Sequence, residues 1–345
     1  MVRMLRMLPS LLAFEAGLCR RKARVMPPSV RGFVTPHSLL PAAQTAGRQR
    51  AGPLPMGSPA IAAASRAVHS SAVARAARGG GIFDFAPKMV EPSSALPGRE
   101  QKMQVAERHY VLGNPMEGPW PEGYKVAVLA NGCFWGSEKG IWRLPGNGIY
   151  TTAVGYAAGF TPNPTYEEAC SGRTGHTEAM QIVYDPEKIS FVDILRWFWE
   201  AHDPTSGMGQ GNDVGTQYRS GAYWFDEEQK ALILASKAAY EEALGRPITT
   251  ECAAAADYEK YGGAFFYAEN YHQQYLAKPN ARPYCSAQPQ RVSLPPFEQW
   301  APAGLLEKHA PKLPEAFWSK HGLGPSSTAC GVVSRPNEVI KWGDW

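Results

Sequence analysis

Cys133 is the residue of this chain best placed to do covalent chemistry. It sits in Ala130-Asn131-Gly132-Cys133-Phe134-Trp135-Gly136-Ser137-Glu138. The apolar run at 125–129 before it reads as a buried strand, and 138–144 after it can form one or two helical turns. A cysteine between a strand end and a helix N-terminus meets unpaired backbone N–H groups and the positive end of the helix dipole. That setting is expected to lower the thiol pKa and favour the nucleophilic thiolate. Glycines on both sides allow close approach. Phe134 and Trp135 put a large apolar surface beside the sulfur. The pattern is that of a nucleophilic cysteine with an aromatic wall for a small apolar group. The competing reading is a buried structural thiol, the commoner fate of a lone cysteine.

Three further stretches carry groups that can assist. Asn163-Pro164-Thr165-Tyr166 leads through Cys170-Ser171-Gly172 to Gly175-His176-Thr177-Glu178. Glu178 opens a strand after a glycine turn, and a carboxyl desolvated there by aromatics has a raised pKa and can act as an acid near neutral pH. His176-x-Glu178 is half of a zinc-deaminase motif, but Pro-Cys-x-x-Cys is absent, so metal is discounted. His202-Asp203-Pro204-Thr205 and the polar, glycine-rich 207–220 can place Asp213 and Tyr218 beside a strand end. They match neither G-x-G-x-x-G nor a Walker loop. Glu269-Asn270-Tyr271-His272-Gln273-Gln274-Tyr275-Leu276 reads as an aromatic, amide-rich turn. Cys285 follows in a Pro-rich stretch, where a mobile thiol can reach another sulfur.

The elements that must position these groups are a mixture of strands and helices. Strands are predicted at 125–130, around 151–154, at 179–184 and at 220–225. One buried helix is predicted over 191–200 with Ser190 as N-cap. A second is predicted from Asp226 to Leu244, with Gln229 at the capping-box position and Gly245 as its stop. This mixture within about 200 residues argues one α/β domain. The 345 residues are 44% hydrophobic, enough for a core. No apolar run approaches the ~20 residues of a membrane-spanning helix. The six cysteines (Cys19, Cys133, Cys170, Cys252, Cys285, Cys330) include no C-x-x-C pair. That usage suits reduced thiols better than a disulfide scaffold.

Charge divides the chain. Residues 1–80 hold eleven Arg and one Lys against Glu15 alone, a net +11 that leaves −7 for 81–345 within the total of +4. The first 80 residues are also Ala- and Ser-rich, and are predicted to be an organelle-targeting segment, mitochondrial by preference and plastid as the alternative. The acidic remainder gives no reason to expect a nucleic-acid or membrane partner. Residues 81–124 are expected to form an extended arm, 125–278 the catalytic domain, and 279–345 a coil-rich tail.

Taken in order, the quoted stretches resemble the A-type peptide methionine sulfoxide reductases over about residues 95–285. Gly132-Cys133-Phe134-Trp135-Gly136, the Tyr166 and Glu178 segment, Gln210-Gly211-Asn212-Asp213-x-Gly215-Thr216-Gln217-Tyr218-Arg219-Ser220 and Tyr271-His272-Gln273-Gln274-Tyr275-Leu276 all match. The family's Gly-Tyr-x-Gly-Gly is here Gly155-Tyr156-Ala157-Ala158-Gly159. The resemblance implies an α+β two-layer sandwich with a ferredoxin-like core, a mixed sheet and a long coil-rich C-terminal segment. It implies reduction of the S-epimer of methionine sulfoxide, free or in proteins, because each epimer needs its own enzyme class. In that scheme Phe134 and Trp135 hold the S-methyl group and Glu178 protonates the sulfoxide oxygen. Tyr166 and Tyr218 donate hydrogen bonds to the same oxygen, and Asp213 orders the network. Cys133 attacks sulfur and becomes a sulfenic acid. Cys285 resolves it to a disulfide that thioredoxin or another dithiol reduces.

Tyr284-Cys285 matches the first of two recycling cysteines found in many members. Ser286-Ala287-Gln288-Pro289-Gln290 replaces the usual Gly-rich segment, and Cys330, far downstream, is the candidate second recycling thiol. No metal or organic cofactor is expected, since the sulfurs carry both electrons, and a monomer is expected. Two other classes stay open at the level of sequence. One is a cysteine hydrolase using Cys133, Asn212 and one of His176, His202 or His272. The other is a redox-sensing module that binds methionine without turnover.

Overall fold

The computed structural model describes residues 87–323 and 331–344. The basic segment 1–80, with Cys19, and the candidate recycling residue Cys330 lie outside the described residues. The core is a βαββαβ unit. Strand β1 (Lys125–Asn131) feeds helix α1 (Phe134–Trp142), and β2 (Ile149–Ala157) follows. The short helix α2 (Tyr166–Cys170) leads to β3 (Thr177–Tyr184) and α3 (Phe191–Glu200). A small hairpin of β4 (Gly209–Gln210) and β5 (Asp213–Val214) then precedes β6 (Ser220–Trp224). Beyond lie α4 (Glu227–Leu244), β7 (Glu251–Ala254) and β8 (Phe265–Tyr267).

The sheet runs β7-β6-β1-β3-β2-β8. Its four central strands are all antiparallel neighbours, the ferredoxin-like order. The β7 strand adds in parallel beside β6, and β8 antiparallel beside β2, so the sheet is mixed.

Strand periodicity explains the two layers. Ala127 and Leu129 of β1, with Met180, Ile182 and Tyr184 of β3, face α1, α3 and α4 in the main core. Val128, Ala130 and Ala179 point to the other face, where Tyr223, Tyr258 and Phe265 cover them. Burial on both faces is why β1 reads as a continuous apolar run. Ser190 caps α3 with Asp193 in a reciprocal capping box. At α4, Asp226 accepts from the Gln229 N–H, but the Gln229 side chain accepts from Phe225 N–H, one residue outside the predicted box.

Helix α3 is buried on nearly every side, including Trp197, Phe198 and Trp199. Its polar stripe of Asp193, Arg196 and Glu200 is covered by the C-terminal segment. The Asp193 carboxylate accepts from Lys312 N–H (2.9 Å) and Leu313 N–H (3.2 Å), and Glu200 accepts from Leu294 N–H (3.0 Å). Arg196 pairs with Glu315 and stacks on Trp318. Among its described residues the segment is mostly coil, with two short α-helices, α5 (Glu315–His321) and α6 (Gly331–Ser334). It ends against α1, where Lys139 Nζ donates to the Val333 and Arg335 carbonyls and Trp142 Nε1 to that of Asn337.

Candidate active site

Cys133 is the N-cap of α1, directly after the end of β1. Gly132 turns the chain at φ +89°, and a Cβ there would lie 2.7 Å from the Gln210 side chain, so both backbone and space require glycine. The backbone N–H groups of Trp135 and Gly136 favour the Cys133 thiolate and pull its pKa down. Burial pushes it up by more, and the Glu178 carboxylate adds to the rise, so the thiol pKa ends well above its ordinary value. The expectation that the helix N-terminus would lower it is therefore corrected. Two backbone donors do not offset full desolvation of a thiolate beside an acid. The resting Cys133 is a thiol.

Glu178 lies on β3 opposite Tyr156 of β2. Its Oε2 accepts a hydrogen bond from the Phe134 N–H at 3.1 Å, which joins it to the residue next to the nucleophile. Burial raises its pKa to about 8, against the Phe134 bond and with help from Asp213. Near neutral pH the carboxyl holds its proton, so it can serve as an acid.

Two tyrosines complete the polar side. Tyr166 opens α2, which Thr165 and Glu168 fix by a capping box, and its N–H donates to Glu269. Tyr218 ends the 3-10 turn Thr216–Tyr218. Burial raises both phenol pKa values; Cys170 and Glu178 add to the rise for Tyr166, and Glu178 and Tyr166 for Tyr218. Both remain hydroxyl donors, and the charge of Glu178 acts on each. Asp213, from the β4–β5 hairpin, accepts from the Tyr284 hydroxyl at 2.5 Å, and its other oxygen is buried without a hydrogen-bond partner among the described residues.

The aromatic wall is larger than the two residues singled out from sequence. Trp135 stacks on Tyr275 with ring centroids 3.9 Å apart, and its indole N–H donates to His272 Nδ1 at 3.1 Å. His272 also packs against Phe134 (5.1 Å) and Tyr166 (4.7 Å). Burial lowers its pKa to about 4, so the ring is neutral. The spacing of His272 and Tyr275, one helical turn apart, was the available signal for their sharing a side.

The sequence-predicted residues Cys133, Phe134, Trp135, Tyr166, Glu178, Asp213 and Tyr218 thus converge. Cys285 joins them from the tail: a Cβ on Gly136 would lie 2.6 Å from its Sγ. None of Cys133, Cys170, Cys252 and Cys285 is in a disulfide. Burial raises the thiols of Cys170 and Cys252 to about 12 and about 11, which keeps both protonated. Two of the three histidines open to a hydrolase are engaged elsewhere, and the third, His272, is the neutral ring held by Trp135. His176 bonds the Thr161 carbonyl, and His202 lies between the Phe198 carbonyl and Ser220 Oγ. Among the described residues no group of three or more His, Cys, Asp or Glu could hold a metal ion.

Comparison with known proteins gives a consistent picture. A family model described as peptide methionine sulfoxide reductase matches residues 125–299. The chain is 50% identical over 222 residues to peptide methionine sulfoxide reductase MsrA 1 of Synechocystis sp., covering 62% of this chain and 96% of that one. It is 53% identical over 208 residues to an MsrA of Azorhizobium caulinodans, covering 59% and 91%. Among solved structures it is similar to methionine sulfoxide reductase A of Corynebacterium diphtheriae, with a TM-score of 0.51 and 38% identity, covering 59% of this chain and 95% of that one.

Proposed function

We infer the reaction from two facts together: the chain belongs to the peptide methionine sulfoxide reductase family, and its buried acid Glu178 is hydrogen-bonded to the residue beside its buried cysteine. The substrate is the S-epimer of methionine sulfoxide, free or within oxidised proteins. The rings of Phe134 and Trp135 take the S-methyl group. Glu178, protonated up to about pH 8, gives its proton to the sulfoxide oxygen, while the Tyr166 and Tyr218 hydroxyls donate hydrogen bonds to it. Protonation makes sulfur electrophilic. Cys133 attacks and loses its thiol proton, which restores the Glu178 carboxyl. Oxygen passes to Cys133 as a sulfenic acid and methionine leaves.

Cys285 then condenses with the sulfenic acid, releasing water and forming a disulfide. A dithiol protein of the thioredoxin type reduces it by exchange. The observation that carries this reading is the Glu178–Phe134 bond, since it supports placing acid and nucleophile on one substrate atom pair. Assay of the two sulfoxide epimers separately, with dithiothreitol and with thioredoxin, tests it. Consumption of the S-epimer is expected; consumption of the R-epimer alone overturns it.

The basic first 80 residues support import into an organelle, the mitochondrion ahead of the plastid. A fluorescent protein carrying residues 1–80 is expected to enter mitochondria, and cytosolic fluorescence rejects the idea. The enzyme acts as a monomer, to be checked by light scattering.

A further inference from the structure

The tail turn that carries Cys285 is fastened to the site by more than its sulfur. Tyr284 donates its hydroxyl to Asp213 Oδ1 at 2.5 Å. Its ring meets the Trp135 indole edge-on, with centroids 6.5 Å apart and planes at 85°. The next residue, Cys285, fills the space that glycine leaves at position 136. Ser286 follows against the β4–β5 hairpin, where a Cβ on Gly211 would lie 2.4 Å from its carbonyl oxygen. The Gln288 N–H donates to Gln210 Oε1 at 3.1 Å. Burial and Asp213 hold the Tyr284 phenol protonated, and both Cys133 and Cys285 lie within its electrostatic reach.

We propose that Tyr284 is a positioning residue for the recycling half of the reaction: its bond to Asp213 latches the tail turn so that the Cys285 thiol stays beside the Cys133 helix. This deepens the functional reading above and rests on it. The step served is Cys133–SOH plus Cys285–SH giving the Cys133–Cys285 disulfide and water. The S–O bond breaks and the S–S bond forms. The sulfenic sulfur is reduced, the Cys285 sulfur is oxidised, and no external oxidant enters. A coil segment has many conformations available, and each costs effective concentration at the target sulfur. A hydrogen bond to a carboxylate is among the stronger tethers a single side chain can supply. The latch also explains why a tail without the family's usual Gly-rich segment can hold its cysteine in place.

The experiment uses the full chain and one equivalent of methionine S-sulfoxide. It follows two signals: methionine released, and sulfenic acid surviving, captured by dimedone and read by mass. Tyr284→Phe keeps the ring and removes only the hydroxyl. Its sulfenic acid is expected to decay about tenfold more slowly than in the native chain. Decay is read on sulfenic acid already formed, so a change in the first step does not enter it. Asp213→Asn is expected to slow the decay similarly, and the double variant no further, because the two groups act through one bond. Purely structural roles would instead give effects that add. Native-like decay in Tyr284→Phe, or additive effects in the pair, overturns the latch. If the native chain releases no methionine and forms no sulfenic acid, the reading of the reaction itself has failed; if it does both, only the latch is at stake.

Discussion

The two ends of helix α1 have unlike neighbours. Its N-terminal end meets side chains drawn from short sequence motifs: Glu178 on β3, Tyr166 on α2, the Asp213 hairpin and the His272–Tyr275 turn. Its C-terminal end meets backbone from the last residues of the chain. There Lys139, Trp142 and Arg143 all donate to main-chain carbonyls between 333 and 338. The first arrangement shifts the protonation of particular side chains and so bears on rate. The second satisfies polar groups and buries apolar area, and so bears on stability. The matched family region stops at residue 299, so most of this wrap lies beyond it.

The largest test of that division is the nucleophile. Cys133→Ser should lower turnover of the S-sulfoxide by at least about 10⁴-fold, since in the proposed mechanism the electrons come from this sulfur. The thermal midpoint should stay within a few degrees. A variant that loses both activity and fold would blur the contrast; one that keeps turnover would end the assignment.

Glu178→Gln comes next. Loss of a positioned acid costs about 10²–10⁴-fold. The pH profile gives the sign. In the proposed mechanism the acid form is the active one, and its pKa is raised to about 8, so kcat/KM should be high below pH 8 and fall tenfold per unit above it. The variant should lack that limb. A native profile that rises through pH 8 would mean that the ionised carboxylate is the working form.

The third test moves to the tail. Phe317 of α5 is 1% exposed, and removing a buried ring costs about 3–5 kcal/mol. Phe317→Ala should therefore cut unfolding free energy by roughly that amount in a denaturant titration, while the folded enzyme keeps its kcat within about twofold. A large loss of kcat with stability intact would show that the tail reaches the chemistry from this side as well.

What was legible in the sequence follows the same boundary. Cys133, Glu178, Asp213 and the two tyrosines stood out as candidates because each lies in a compact run of unusual residues. The strand–turn–helix setting of Cys133 was legible for the same reason. The direction of its pKa was not: the helix N-terminus could be inferred from local sequence, but the burial and the Glu178 carboxyl that outweigh it come from residues distant in the chain. His272 looked like one of three interchangeable histidines until its bond to Trp135 identified it as part of the wall. The tail could be read as coil from its Pro and Gly content, but not as cover for α3. The hint lay in the polar stripe of α3, Asp193, Arg196 and Glu200, which the tail engages.

The smallest expected effect lies at the rim of that cover. Arg196 makes a two-point contact with Glu315, with bonds of 2.6 and 2.9 Å, and also pairs with Glu200 at 3.0 Å. Glu315 is 72% exposed at its side chain. Water screens such a pair, and exposed ion pairs contribute about 0.2–1 kcal/mol. Glu315→Ala should thus lower unfolding free energy by about 0.5 kcal/mol, and by less in 1 M salt, where the screening length falls to about 3 Å. The Arg196 guanidinium should hold its place even then, through Glu200 and its stacking 4.6 Å over Trp318. Arg196→Ala removes both of those contacts and should cost more than Glu315→Ala in the same titration. Equal losses would mean that the ion pair, rather than the buried rings and backbone bonds beneath it, fastens α5 to α3.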